Sequence, residues 1–370
     1  MAKETSRQIR YALIGAGNIA QVAVLPAFAH AQNSKLVAIA SSDPGKREAL
    51  KARYGLAHAS DYDHLEALLA EAEVDAVYIA LPNHLHRAFT ERAARAGVHV
   101  LCEKPMAASV EDCEAMIRAC DEADVKLMIA YRLHFEAANL GAIELARSGK
   151  LGAPRILSAL LTQQARGGDI RTRAEVGGGA LLDAGVYCIN AARYLFGEEP
   201  TEVFGYADVD PDPRFQGVDA TTLALLRFPG GGLAQIGCSQ AAAAVSSFRI
   251  VGEKGDLRVD PAFGYATERR HHLTVDGETR ERTFAQQDQF APELIYFSDC
   301  ILEDREPEPS GIEGLADVRV IDAIARSVAA GRSVKLRRFE KSPRPSRAQL
   351  ITRPAIEPPE PVNAPSPTQG

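Results

Sequence analysis

Three short stretches of this chain carry residue types that could do chemistry together. The first, Gly15-Ala16-Gly17-Asn18-Ile19-Ala20, has the form G-x-G-x-x-A. Its two glycines allow a tight turn and close approach of the backbone to a pyrophosphate. The small third residue lets a helix pack closely on a strand, and the helix N-terminus offers amide donors. Taken alone the motif is weak, because an ordinary glycine turn gives the same letters. The second stretch, Glu103-Lys104-Pro105, follows an apolar run and offers an ammonium at a strand end. The third opens on Gly177-Gly178-Gly179 and places Asp183, Tyr187 and Asn190 at i, i+4 and i+7, on one helical face. Taken alone, such a stripe is more often a solvated surface than the lining of a site.

Particular elements must position these stretches. Residues 9–14, 36–40, 76–81, 98–102 and 126–130 are short apolar runs rich in β-branched side chains, as strands buried on both faces should be. Between them, residues 44–54, 62–70, 84–96 and 110–123 have apolar side chains at helical spacing. This alternation predicts right-handed crossovers and a doubly wound parallel sheet, with the glycine motif in the first strand–helix turn. Pro26 predicts a kink or restart in the helix that follows. After about residue 150 the rhythm changes to strands at 155–163, 202–207, 221–228, 233–239, 248–251 and 256–259. A hairpin turn is expected at 227–233, with helices at 180–196, 292–303 and 313–330. The fold class is therefore α/β: an N-terminal Rossmann domain over 1–130, then an α+β domain on a large, mostly antiparallel sheet over 131–340. Residues 341–370 hold 8 of the 21 prolines and no aromatic residue, so they are expected to be disordered or loosely draped.

A Rossmann site for NAD usually ends its second strand on Asp or Glu. Here the strand ends at Ser41, with Ser42-Asp43-Pro44-Gly45-Lys46-Arg47 behind it. Hydroxyls and cations suit the 2′-phosphate of NADP, while Asp43 can cap the next helix. After the third strand comes Leu81-Pro82-Asn83-His84-Leu85-His86. The paired histidines have no nearby Cys, Asp or Glu partner, so a helix start is preferred there and no metal is expected.

Composition bounds the rest. The 370 residues carry 42 Lys+Arg against 49 Asp+Glu, a formal charge of −7, which argues against a general nucleic-acid binder. No apolar run is long enough to span a bilayer, and the polar lead before Ile9 lacks the apolar core of a secretory signal. The six scattered cysteines (102, 113, 120, 188, 238 and 300) read as reduced core residues of a cytoplasmic protein.

Together, the glycine turn, Glu103-Lys104-Pro105 and the G-G-G-x-L-x-D-x-G-x-Y stretch resemble the family of glucose-fructose oxidoreductase, inositol dehydrogenase and rhizopine-catabolism proteins. The resemblance covers about residues 9–340. Tyr131-Arg132-Leu133-His134, the Arg193–Gly197 segment and the Asp260–Tyr265 segment resemble its glucose-fructose oxidoreductase branch, where bacterial aldose-aldose oxidoreductases are most similar. The resemblance implies that Lys104, Asp183 and Tyr187 are catalytic. It implies NADP contacts from Gly15, Gly17, Asn18, Ile19, Ser41, Lys46, Tyr62, Leu81, Pro82, Asn83, His86, Glu103, Lys104 and Arg132. Sugar contacts would come from Lys104, Tyr131, Asp183, Tyr187 and Tyr265. Many family members have His where Tyr187 stands.

The expected reaction is hydride transfer between C1 of an aldopyranose and nicotinamide, giving an aldonolactone; the resemblance alone implies that, where NADP(H) stays bound, a second aldose recycles it. A free tyrosine, with a pKa of about 10, is a poor base at neutral pH, and an ammonium beside it favours the phenolate. Two other readings stand beside this one. One is an NADP-dependent sugar or dihydrodiol dehydrogenase with exchangeable cofactor; the other is a non-catalytic dinucleotide sensor, against which Lys104, Asp183 and Tyr187 argue. The open second sheet needs cover for its outer face, which predicts a homodimer. No nucleic acid or membrane partner is expected.

Overall fold

The computed structural model describes residues 7–208, 212–215 and 217–368; the polar lead 1–6 and residues 369–370 lie outside the described residues. Strands β1 (Ile9–Ile14), β2 (Ser34–Ala40), β3 (His58–Ser60), β4 (Ala76–Ile79), β5 (His99–Glu103) and β6 (Leu127–Ala130) form one sheet in the order β3-β2-β1-β4-β5-β6. Every pairing in it is parallel. β4 and β6 are buried along their whole length, because helices cover both faces, and this is why their sequences run apolar without alternation. Strand order reverses between β1 and β4, which opens a crevice at their carboxyl ends. The short edge strand β3 was not expected; its three residues are only half-buried and carry no apolar run.

The helix after the glycine turn starts as a π turn over Ala20–Val24, continues as Leu25–Ala27 and tightens to a 3₁₀ turn over Phe28–His30. Pro26 lacks the N–H that a regular helix would use, so the irregularity sits where the sequence placed it.

The second sheet contains β7 (Pro154–Gln164), β8 (Glu202–Asp208), β9 (Thr221–Arg227), β10 (Leu233–Ser239), β11 (Ala241–Gly252), β12 (Gly255–Val259), β13 (Arg269–Val275), β14 (Glu278–Phe284) and β15 (Val334–Lys335). Their order is β14-β13-β12-β11-β7-β10-β9-β8-β15, with only the β7–β10 pair parallel among the described residues. The β9–β10 hairpin forms as expected, and Phe228 N–H donates to Gly232 C=O at 2.9 Å across its loop. β13 and β14 were not foreseen. Their turn is Asp276-Gly277, with φ of 51° and 80°, the mirror-image turn that matches strand twist. That dipeptide was the available signal, masked by the many charged residues around it. The helices Val186–Phe196 and Gly311–Ala330 pack on the sheet's inner face and complete the larger core. All six cysteines are free and buried. Among the described residues no helix is long and apolar enough to cross a membrane.

The proline-rich tail departs from expectation. It has little regular structure, yet it is held to the body residue by residue. Lys341 is buried in ion pairs with Glu308 and, at 2.7 Å, Glu313. Gln349 donates to the Glu308 carboxylate at 2.8 Å, and Arg344 pairs with Glu199 at 3.0 Å. Its low apolar content misled because polar side chains and exposed backbone groups, which composition does not weigh, hold it down.

Candidate active site

Gly15 sits at φ 96°, and a Cβ there would lie 2.4 Å from the Ala80 carbonyl oxygen at the end of β4. Only glycine fits, because the turn must pass this close to the neighbouring strand. Around the Cβ position of Gly17 there is no heavy atom within 4 Å, so the backbone is open to a ligand there. At the end of β2, Ser41 is buried, and its backbone N–H donates to Ser60 C=O at 3.0 Å. Asp43 caps the helix Pro44–Arg53 by accepting from the Lys46 backbone N–H at 3.1 Å. Arg47 turns back to donate to the Ser41 carbonyl at 2.6 Å. The carboxylate is thus used locally, and hydroxyls and cations remain at the strand end. A glycine cradle and this donor set fit a dinucleotide bearing a 2′-phosphate. Tyr62 packs edge-on against Phe89, with ring centroids 5.1 Å apart, beside the same strand end.

Ile19 lies beside Asn18 at the start of the first helix and packs on its core. Leu81 and Pro82 follow β4. Asn83 donates to Gly177 C=O at 2.9 Å, which ties the two sheets' loops together. His86 is fully buried and does not reach an open site. Its ring lies 2.8 Å from Leu81 C=O and 3.1 Å from Pro105 C=O, so it holds the loop that carries Lys104. Burial lowers its pKa.

Lys104, at the end of β5, reaches across to the helix that carries Asp183. Its Nζ donates to the Asp183 carbonyl at 3.2 Å, lies 3.7 Å from Asp183 Oδ1 and sits 4.5 Å from the centre of the Tyr187 ring. Asp183 Oδ2 also accepts from Arg171 Nε at 2.8 Å and Gln240 Nε2 at 2.7 Å. Burial opposes its charge, but the Arg171 and Lys104 cations outweigh burial and bring its pKa down to about 2. Arg132, buried after β6, donates to the Tyr187 hydroxyl oxygen at 3.1 Å and to Gln289 Oε1. Its guanidinium also lies 5.5 Å from the Tyr265 ring centre. Glu103 faces the other way and accepts from the Tyr78 hydroxyl at 2.9 Å; burial pushes its carboxyl up.

The structure thus gathers Lys104, Asp183, Tyr187, Arg132 and Tyr265, drawn from both sheets, around one crevice. It does not bring Tyr131 there: that side chain is buried and its hydroxyl donates to Asp317 at 2.7 Å, away from the crevice. Asn190 leaves the expected stripe as well. The helix begins as a π turn over Leu181–Gly185, and Asn190 is buried, donating to Glu313 at 2.7 Å and Asp317 at 2.8 Å. Arg171 and Gln240 went unread in the sequence. Both lie at loop or strand-end positions with no periodicity, and only the fold brings them to Asp183.

Residues 9–131 match the model described as an oxidoreductase family with an NAD-binding Rossmann fold, and residues 140–258 match the GFO/IDH/MocA C-terminal domain. A D-xylose 1-dehydrogenase [NADP(+)] of Haloarcula marismortui is 34% identical over 348 residues, covering 90% of this chain and 94% of that one. A dTDP-3,4-didehydro-2,6-dideoxy-α-D-glucose 3-reductase of Streptomyces violaceoruber is 37% identical over 80% of this chain and 86% of its own. Among solved structures, the aldose-aldose oxidoreductase from Caulobacter crescentus complexed with glycerol superposes with a TM-score of 0.86 at 41% identity, covering 89% of this chain and all of that one. A 3-ketoreductase from Actinomadura kijaniata, in complex with NADP and TDP-benzene, gives 0.80 at 29% identity over 87% and 98% of the two chains. Two family models in tandem and relatives matched over nearly their whole length agree with the crevice geometry: the chain belongs to the GFO/IDH/MocA oxidoreductase family.

Proposed function

We propose that this protein is an NADP(H)-dependent aldose oxidoreductase that acts at C1 of an aldopyranose and forms the aldonolactone in the oxidative direction. The observation that carries the reading is the Lys104–Asp183–Tyr187–Arg132 cluster beside a glycine cradle with cations at the end of β2. Gly15, Gly17, Asn18, Ile19, Ser41 and Lys46 would hold the dinucleotide's phosphates and ribose, and Leu81 and Pro82 would flank its nicotinamide. When bound there, NADP(H) would supply the hydride acceptor or donor for C1.

The chain's own residues then handle the proton. The Tyr187 hydroxyl oxygen takes the proton of the C1 hydroxyl in oxidation and gives it back in reduction. Arg132, donating to that oxygen, and Lys104, above the ring, support negative charge on it between transfers. Asp183, held ionised by Arg171, orients Lys104 and accepts a sugar hydroxyl. Tyr265 lines the sugar side of the crevice. NADP is favoured over NAD by a serine at position 41, by the engagement of the nearby Asp43 carboxylate as a helix cap, and by NADP in the names of two relatives. A cytoplasmic location and a homodimer complete the proposal.

The test is a spectrum at 340 nm of the purified protein with glucose or xylose and no added cofactor. A rise shows retained NADP being reduced; a rise only after NADP is added favours the exchangeable-cofactor dehydrogenase. Lys104→Met and Tyr187→Phe are each expected to slow hydride transfer by about 10²–10⁴-fold. Wild-type turnover in both variants overturns the assignment.

A further inference from the structure

The tail that composition marked as loose runs across the dinucleotide crevice from one side to the other. It leaves the body at Pro354, bridged to Gln287, and passes the helix Pro44–Arg53, where Arg53 donates to Glu360 C=O at 2.9 Å. It then meets the glycine-turn helix. Gln21, fully buried, pairs with Val362 through both ends of its amide: Nε2 donates to Val362 C=O at 2.9 Å, and Oε1 accepts from Val362 N–H at 2.7 Å. Asn363 takes a left-handed conformation at φ 47°, and its side-chain amide lies beside the Asp43 carboxylate at the end of β2. One residue later, Asn18 donates to Ala364 C=O at 2.9 Å, and Ala364 is buried. Beyond it the tail reaches the other sheet, where Arg166 N–H donates to Pro367 C=O at 2.8 Å and Thr368 bridges Ala165, just past β7.

The two edges joined by Asn363 and Ala364 are the β2 end and the glycine turn, between which a Rossmann fold holds the adenosine half of its dinucleotide. We propose that residues 358–368 form a strap that makes the outer wall of the NADP(H) site and slows cofactor release. This rests on the dinucleotide reading above. The strap's anchors on the glycine-turn helix are a buried amide and backbone groups, and its one charged side chain, Glu360, is exposed. Its far end is pinned to the second sheet, so opening it requires breaking contacts on both domains. A strap of this kind would keep NADP(H) in place between oxidation of one aldose and reduction of the next.

The experiment uses the full chain with a protease site inserted between Glu357 and Pro358, cut after the NADPH complex has formed. Release of NADPH is followed by its fluorescence during a chase with excess NADP. Gln21→Leu, which removes both amide bonds to Val362 in the uncut chain and also the amide's bond to Ala16 C=O in the glycine turn, is measured alongside. Release from the cut complex is expected to be about tenfold faster or more, equivalent to about 1.4 kcal/mol of lost holding. Gln21→Leu should shift in the same direction. Equal release from cut and intact complexes overturns the strap, whatever the Gln21 variant does. If bound NADPH reduces no aldose, the proposed reaction fails, while the release rates still decide the role of the strap.

Discussion

Asp183 shows how one residue's surroundings set its charge. Its carboxyl is mostly enclosed, and burial alone would hold it neutral; Arg171 and Lys104 reverse that and bring the pKa from 3.8 to about 2. A depressed carboxyl stabilises the fold above its unfolded pKa and loses that contribution as pH falls through the folded value. The contribution is therefore complete above about pH 5 and fades between about pH 4 and 2, worth about 2 kcal/mol in total. Asp183→Asn is expected to flatten the fall in urea midpoint over that acid window, as read from denaturation curves at pH 2 to 5. It should also slow hydride transfer at neutral pH. Glu293 is the opposite case: it is buried without a hydrogen-bond partner among the described residues, and burial, with Glu103 beside it, pushes its carboxyl well up. Nothing in its own sequence neighbourhood predicted this.

At the scale of elements, two features lead to sharp expectations. The glycine turn passes β4 so closely that Gly15→Ala must displace the Ala80 carbonyl and strain a backbone at φ 96°. A loss of about 1–3 kcal/mol in thermal stability is expected, together with weaker NADP binding by calorimetry. The second feature is the ion cluster between the helices Val186–Phe196 and Gly311–Ala330. Fully buried Arg193 contacts Glu313 and Asp317 at 2.6 Å each and Glu199 at 2.6 Å. Lys341 of the tail pairs with the same Glu313 at 2.7 Å. Arg193→Met would leave Asp317 without a cation and thin the pairing of Glu313 and Glu199, which keep Lys341 and Arg344, and should cost about 3–5 kcal/mol in chemical denaturation. The Arg193–Gly197 segment looked like a family signature in the sequence. In the fold its arginine holds helices together and touches no reacting group.

Across the whole molecule, the inner face of the nine-stranded sheet is covered by helices, while its outer face carries exposed Ile156, Tyr206, Leu223, Leu225 and Leu233. Alternation along β9, buried at Thr222, Ala224 and Leu226 and exposed between them, shows that this is one face of the sheet. A contiguous apolar surface of this kind is usually covered by another protein surface, and we expect a second copy of the chain. Light scattering at micromolar concentration should give a dimer mass, and replacing Leu223 and Leu225 together with Lys should shift it to monomer.

The sequence by itself determined the parallel sheet, the glycine turn, the hydroxyl-and-cation end of β2 and the identity of Lys104, Asp183 and Tyr187 as candidates. Each is a local signal, carried by apolar runs, glycine positions or residue types within a few positions of one another. Only the tertiary structure decided which side chains meet. Arg132 comes to Tyr187 from 55 residues away and Gln240 to Asp183 from 57, while Tyr131 and Asn190 turn into the buried ion cluster. The path of the tail belongs to the same class. Its anchors, Gln21 and Asn18, lie 341 and 346 residues before their partners, and no composition or period links groups so distant in the chain. Short-range patterns encode elements; contacts between remote residues form only when those elements pack.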